Sequence, residues 1–282
     1  MRWRLRTQSR RGGKLELLPE RLTPILDLPE GDGRKPANGR SMTTQRNNSD
    51  RQADDLPLTW RRVLALSGIA FAVLFVVGFL LVGADTPDYT AADQEWTKWA
   101  EDNESTGRIS AVLTLLAGFA FLHFAGTIRS VLETAEASAR GSAQLARVAF
   151  AGAITGIAGI VMAVVMIAAA ALTGSDSNPV VSRAINTAAA GPFLLASMGF
   201  AVLLAAAGLV TLRSGIFARW TAIVALIGAL SFLITFLTVT ESNNDTVFGI
   251  GYPIGFLALV IWSIATSLAT YRKLSSATDT DS

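Results

Sequence analysis

Val63-Leu-Ala-Leu-Ser-Gly-Ile-Ala-Phe-Ala-Val-Leu-Phe-Val-Val-Gly-Phe-Leu-Leu-Val82 carries no charge over twenty consecutive residues. At about 1.5 Å of rise per residue, a helix of that length spans roughly 30 Å, the thickness of a bilayer's hydrocarbon core. Lipid offers the backbone no hydrogen-bond partner, so such a run is expected to be helical, and it is too long for a barrel strand. Five comparable runs follow: Ile109 to Ile128, Val148 to Leu172, Ala188 to Leu212, Trp220 to Val239 and Ile250 to Tyr271. The predicted fold is an all-α polytopic membrane bundle with six transmembrane helices over residues 61–273.

Composition agrees with this reading. The chain is 51% hydrophobic and only 16% charged, where soluble domains carry about a quarter charged residues. Of the 24 Lys and Arg, 14 precede Val63. Residues 1–60 are rich in Arg, Pro, Gly, Asn, Asp and Ser, with Pro19, Pro24, Pro29 and Pro36 interrupting any helix, so a disordered basic cytoplasmic tail is expected. Met42 opens a short polar lead into the first span, and residues 1–41 are therefore expected to be an over-extended start. Residues 274–282 read as a short polar C-terminal tail.

Lys and Arg in the short loops set the orientation. Arg61, Arg62, Arg129, Arg140, Arg147, Arg213, Arg219, Arg272 and Lys273 fall on one side. The other side holds Lys98, Arg108 and Arg183 against ten acidic residues between Asp85 and Asp245. Both termini are thus predicted to be cytoplasmic. In the longest outer loop, Ala92, Trp96 and Trp99 recur at helical spacing, which predicts a short surface helix with its indoles at headgroup level. Asn178-Pro179 reads as a helix start, with the fourth span beginning or kinking at Gly191-Pro192.

Chemistry-bearing residues are few. No cysteine exists for a disulfide, a thiolate nucleophile or a sulfur-ligated metal, and there is one histidine, His123. No cofactor, metal or nucleic-acid partner is predicted. His123 lies within the second span, about 21 Å from its outer boundary, and an ionisable group at that depth is a functional candidate by default. The plainer reading is a neutral imidazole bonded to a neighbouring helix's hydroxyl or carbonyl, or one near the inner headgroups. Gly191 and Pro192 in the fourth span, with Tyr252 and Pro253 in the sixth, are ligand-site candidates because broken helices can aim their dipoles at a ligand. Gly152-Ala-Ile-Thr-Gly156 and Gly251-Tyr-Pro-Ile-Gly255 match the small-xxx-small pattern of close helix packing, within the bundle or at an oligomer seam.

Six spans and Ser197 invite comparison with rhomboid proteases, but the run here is Leu195-Ala-Ser-Met-Gly199 and the sixth span has no histidine to act as base. The acidic outer loop lacks the fixed ligand spacing of a calcium site. Thr86-Pro87, Tyr89-Thr-Ala-Ala-Asp93, Trp99, Ile128-Arg-Ser-Val-Leu132 and Gly215-Ile-Phe-Ala-Arg-Trp220 together resemble uncharacterised six-span integral membrane proteins of high-GC Gram-positive bacteria, a domain-of-unknown-function type. That resemblance covers roughly Trp60 to Lys273, and it implies the bacterial cytoplasmic membrane and a class without a mechanism. The leading expectation is a non-enzymatic protein that binds a lipid, a small apolar ligand or a membrane partner, with the bilayer and a homo-oligomer or another membrane protein as its surroundings. A small facilitator-type transporter running past Gly191, Pro192, Gly251 and Pro253 is the alternative. A membrane enzyme relying on His123 is the third.

Overall fold

The computed structural model describes residues 58–82, 87, 91–173, 179–235 and 251–279. The predicted basic tail as far as residue 57, the Met42 start, most of the loop at 83–90, the fifth predicted span beyond Thr235 and residues 280–282 lie outside the described residues. Among the described residues there are eight helical segments and no strand. They are α1 (Leu58–Ala65), α2 (Ser67–Val82), α3 (Asp93–Asp102), α4 (Glu104–Arg140), α5 (Gln144–Thr173), α6 (Pro179–Ser214), α7 (Arg219–Thr235) and α8 (Gly251–Asp279). The all-α class follows directly from the long uncharged runs.

Five described stretches are long and apolar enough to cross a membrane: Thr59–Leu81, Glu104–Ala139, Gln144–Ala170, Arg183–Ser214 and Gly251–Ser276. The first joins α1 and α2 across Leu66, where the Ser67 hydroxyl donates to the Leu64 carbonyl at 2.6 Å. Where six spans are predicted, the described part of α7 is a shorter apolar helix of 17 residues, about 25 Å long by its rise. Two contacts fix how the ends are arranged. Arg62 donates to the Leu274 carbonyl at 3.4 Å, and the Lys273 ammonium donates to the Ile216 carbonyl in the α6–α7 turn. The start of α1, the end of α8 and the α6–α7 turn therefore share one end of the bundle, here called the basic end. At the opposite end Gly251 lies against the Ser231 carbonyl and Thr235, so α8 begins beside the last turn of α7.

Small residues let the helices approach. The most extensive pairing, α5 with α6, runs along Gly152, Gly156 and Gly159 facing Gly199, Ala196 and Pro192. A Cβ at Gly152 would stand 2.6 Å from the Gly199 carbonyl oxygen, and one at Gly199 would collide with the Gly156 backbone nitrogen. Only glycine fits where two backbones touch. Gly251 and Gly255 face Ser231 and the Phe232 ring on α7, so both predicted motifs lie at helix contacts within the chain.

The space these helices enclose is filled by rings. From Tyr252 the contacts pass to Phe256 (4.6 Å between centroids), then to Phe75, Phe200 and Phe232, on to Phe121, Phe71 and Phe124, and end at Trp262. Most of these pairs are tilted or edge-on, the arrangement favoured by the ring quadrupole. The exterior is the reverse of a soluble protein's. Phe119, Leu80, Leu230 and Leu257 are among the large apolar side chains that face outward.

Three elements depart from expectation. α6 starts at Pro179 as predicted but continues through Gly191-Pro192 as one helix. A membrane helix tolerates an interior proline when neighbouring helices support the freed backbone, and here Gly159 of α5 packs on the Pro192 carbonyl. The last helix runs on to Asp279, through most of the segment read as a polar tail. Trp96 and Trp99 of α3 are buried, at 1% and 7% exposure, in a small cluster beside Ile167 of α5. The indoles thus meet protein, and an Asp93–Arg183 ion pair at 3.0 Å ties α3 to α6.

Candidate functional site

A cleft opens at the basic end between α4 and α5. One wall is α4, with Phe121, Phe124, Ala125, Ile128 and Leu132. The other is α5, with Ala146, Ala149, Phe150 and Ala153, while Leu203 of α6 and Trp262 of α8 complete the lining. Its volume is about 240 Å³ with the open mouth included. Nearly all of that is open to the outside and the enclosed part is only about 10 Å³, so the feature is a shallow groove between the two helices. Alanines on α5 create it, because a larger residue at Ala146, Ala149 or Ala153 would fill the gap between the helices.

Arg129 is the single polar side chain in the lining. Its Nε bonds Glu133 at 3.0 Å, one helical turn on, and its guanidinium lies 4.8 Å from the Phe150 ring centroid. Arg147 approaches the same Glu133 oxygen at 3.9 Å and is 73% exposed. One carboxylate therefore serves two guanidinium groups. Trp262 in the lining is fully buried, and its indole N–H has no hydrogen-bond partner among the described residues.

Next to the mouth, Glu136 is 5% exposed and turned beneath the start of α5. Its two carboxylate oxygens accept from the Leu145 and Ala146 amides at 3.1 and 2.9 Å. A first helical turn has free N–H groups and a partial positive charge, so a carboxylate there satisfies both. The α4–α5 turn reverses at Gly141, in the left-handed region at φ 73°. Cap and turn together set the spacing of the cleft walls.

The residues expected to hold a ligand are dispersed. His123 faces outward from α4, edge-on to Phe119 at 4.7 Å between ring centroids. Gly191 is exposed with open space around it, whereas Pro192 is buried against α5. Tyr252 packs on Phe193 at 5.7 Å and on Phe256, and Pro253 is exposed. Phe193, Tyr252 and Phe256 rings thus stand between α6 and α8, along the path of the alternative transporter reading.

No protein-family model matches the chain, and neither the curated proteins nor the solved structures give a match. Sequence reasoning passed over the cleft because Arg129 reads as an ordinary loop charge once the second span is ended at Ile128. The available signal was Arg129, Glu133 and Glu136 at spacings of four and three, which continue the helix period to Arg140.

Proposed function

We propose that this chain is a non-enzymatic, six-span protein of a bacterial cytoplasmic membrane that binds an anionic lipid at the α4–α5 cleft. The observation that carries this reading is a lone arginine, stacked on an aromatic ring, at the mouth of a groove whose other lining residues are apolar. Guanidinium groups form paired hydrogen bonds with phosphate, and basic pockets between membrane helices on the cytoplasmic side suit anionic headgroups. The apolar walls of the shallow groove could support part of an acyl chain laid along them. Arg147 beside it supplies the second cation.

The six-span count rests on connectivity. α6 ends at the basic end and α8 returns to that end from the opposite one, so residues between them must cross back. The basic end, with Arg62, Arg129, Arg147, Arg213 and Lys273, is the cytoplasmic one by the charge rule. This puts both ends of the bundle chain on that side. The resemblance to six-span proteins of high-GC Gram-positive bacteria supports the same class.

The test uses the full-length protein in detergent, titrated with phosphatidylglycerol or with phosphatidylcholine of equal chain length. Phosphatidylglycerol is expected to raise the unfolding temperature, and native mass spectrometry should retain one such lipid per chain. Arg129→Gln should remove most of the difference between the two lipids. Equal stabilisation by both, unchanged in Arg129→Gln and Arg147→Gln, would overturn the proposal in favour of a scaffold holding only bulk lipid.

A further inference from the structure

Towards the basic end of α4 the side chains change character in a fixed order. Phe121, Phe124, Ala125 and Ile128 line the groove, Arg129 follows at its mouth, and Glu133 stands one helical turn further on. About 6 Å of helix rise separates Arg129 from Glu133. An apolar stretch, then a cation, then a carboxylate is also the order in which a phospholipid presents its acyl chain, its phosphate and the outer part of its headgroup.

What each polar group has left to bond decides what it can receive. The Glu133 Oε1 atom takes both arginines, Arg129 Nε at 3.0 Å and Arg147 Nε at 3.9 Å. Its Oε2 atom has no hydrogen-bond or ion-pair partner among the described residues, and the side chain is 30% exposed. The two terminal nitrogens of Arg129 are also without a hydrogen-bond partner among the described residues, since its Nε goes to Glu133 and its guanidinium lies over the Phe150 ring. Glu136 lacks this freedom, because both of its oxygens accept from α5 amides. The groove mouth therefore offers a fork of donors beside one unused carboxylate oxygen.

We infer that Glu133 selects the headgroup: the lipid held here carries a hydrogen-bond donor beyond its phosphate, as the glycerol hydroxyls of phosphatidylglycerol do. The inference rests on the anionic-lipid reading above and adds the part of the ligand that Arg129 does not read. A guanidinium pairs with any phosphodiester, so the two arginines alone would hold every anionic phospholipid alike. An ionised carboxylate only accepts. A headgroup donor therefore gains a charge-assisted bond at Oε2, whereas a headgroup ending in a methyl group takes water from that oxygen and returns no bond. The two oxygens divide the work: Oε1 holds Arg129 beside Phe150, and Oε2 meets the ligand.

The test compares phosphatidylglycerol with phosphatidylmethanol, a phosphodiester of the same charge whose headgroup has no donor, and with phosphatidylcholine as reference. All three have equal acyl chains, and binding to the full-length protein in detergent is read by native mass spectrometry. Phosphatidylglycerol is expected to bind roughly three- to tenfold more tightly than phosphatidylmethanol, the size of one net hydrogen bond, and both more tightly than phosphatidylcholine. Glu133→Ala should make the two anionic lipids equal, while Glu133→Gln, which keeps an acceptor oxygen, should retain part of the preference. Equal binding of the two anionic lipids by the unaltered protein, both above phosphatidylcholine, would overturn the role of Glu133 and leave the anionic-lipid reading standing. Equal binding of all three would overturn both. A preference for phosphatidylglycerol that survives Glu133→Ala unchanged would overturn the role of Glu133 alone.

Discussion

Single residues divide into those that touch a neighbour's backbone and those that do not, and the glycines of α6 illustrate both. Gly199 meets the Gly156 backbone directly, so Gly199→Ala is expected to lower stability by about 1–3 kcal/mol through forced separation of α5 and α6. Gly191 has open space, so Gly191→Ala should be neutral or stabilise by about 0.5–1 kcal/mol, the usual gain in a helix interior. Thermal unfolding of the two variants side by side checks the contrast. Gly191 stood out in the sequence beside Pro192, whereas Gly199 entered only as the end of the run compared with rhomboid proteases, because contact with another helix is decided by which face turns inward. His123 shows the same limit. Its depth was legible from the count of residues, but α4 carries Leu, Ala and Phe on every side of its middle turns, so the face was not. Its outward position emerges only once Phe121 and Phe124 are seen to fill the core.

At the scale of elements, the α4–α5 hairpin carries the most specific chemistry. Glu136 satisfies two amides of α5, and Glu136→Ala is expected to destabilise the protein by about 1–2 kcal/mol, as loss of a helix cap does. Glu136→Gln, which can still accept one bond, should cost less, and urea or thermal unfolding orders the two variants. The α3 helix was legible as an amphipathic segment from Trp96 and Trp99. What its apolar face rests on was not, since an indole reads alike whether protein or headgroups cover it. Breaking the Asp93–Arg183 tie by Asp93→Asn is expected to change overall stability by less than about 1 kcal/mol, because the pair is partly exposed. The readout is faster local amide exchange across Asp93–Asp102 without a shift of the global transition.

For the whole molecule, the six long uncharged runs were enough to name the class, and the basic residues around them were enough to propose an orientation. The aromatic column was not legible, because Phe71, Phe121, Phe200, Phe232 and Phe256 sit in five different runs and only the three-dimensional packing joins them. Orientation is checked by cysteines at Ser138, Ser276 and Lys98, each beyond the uncharged runs Ile109 to Ile128 and Ile250 to Tyr271. Ser138 and Ser276 are expected to label from the cytoplasmic side and Lys98 from the opposite side. Labelling of Ser276 from the side that labels Lys98 would leave an odd number of crossings.

The bonds from Glu136 to the start of α5 span only nine and ten residues of chain. They can therefore close during synthesis, once Ala146 has emerged, without waiting for α7 or α8. The first helical hairpin after α3 can leave the insertion machinery already latched, with the α4 and α5 walls of the cleft in place. A defect at Glu136 would then surface as poor yield of inserted chains, and a defect at Gly199 as inserted chains that unfold early.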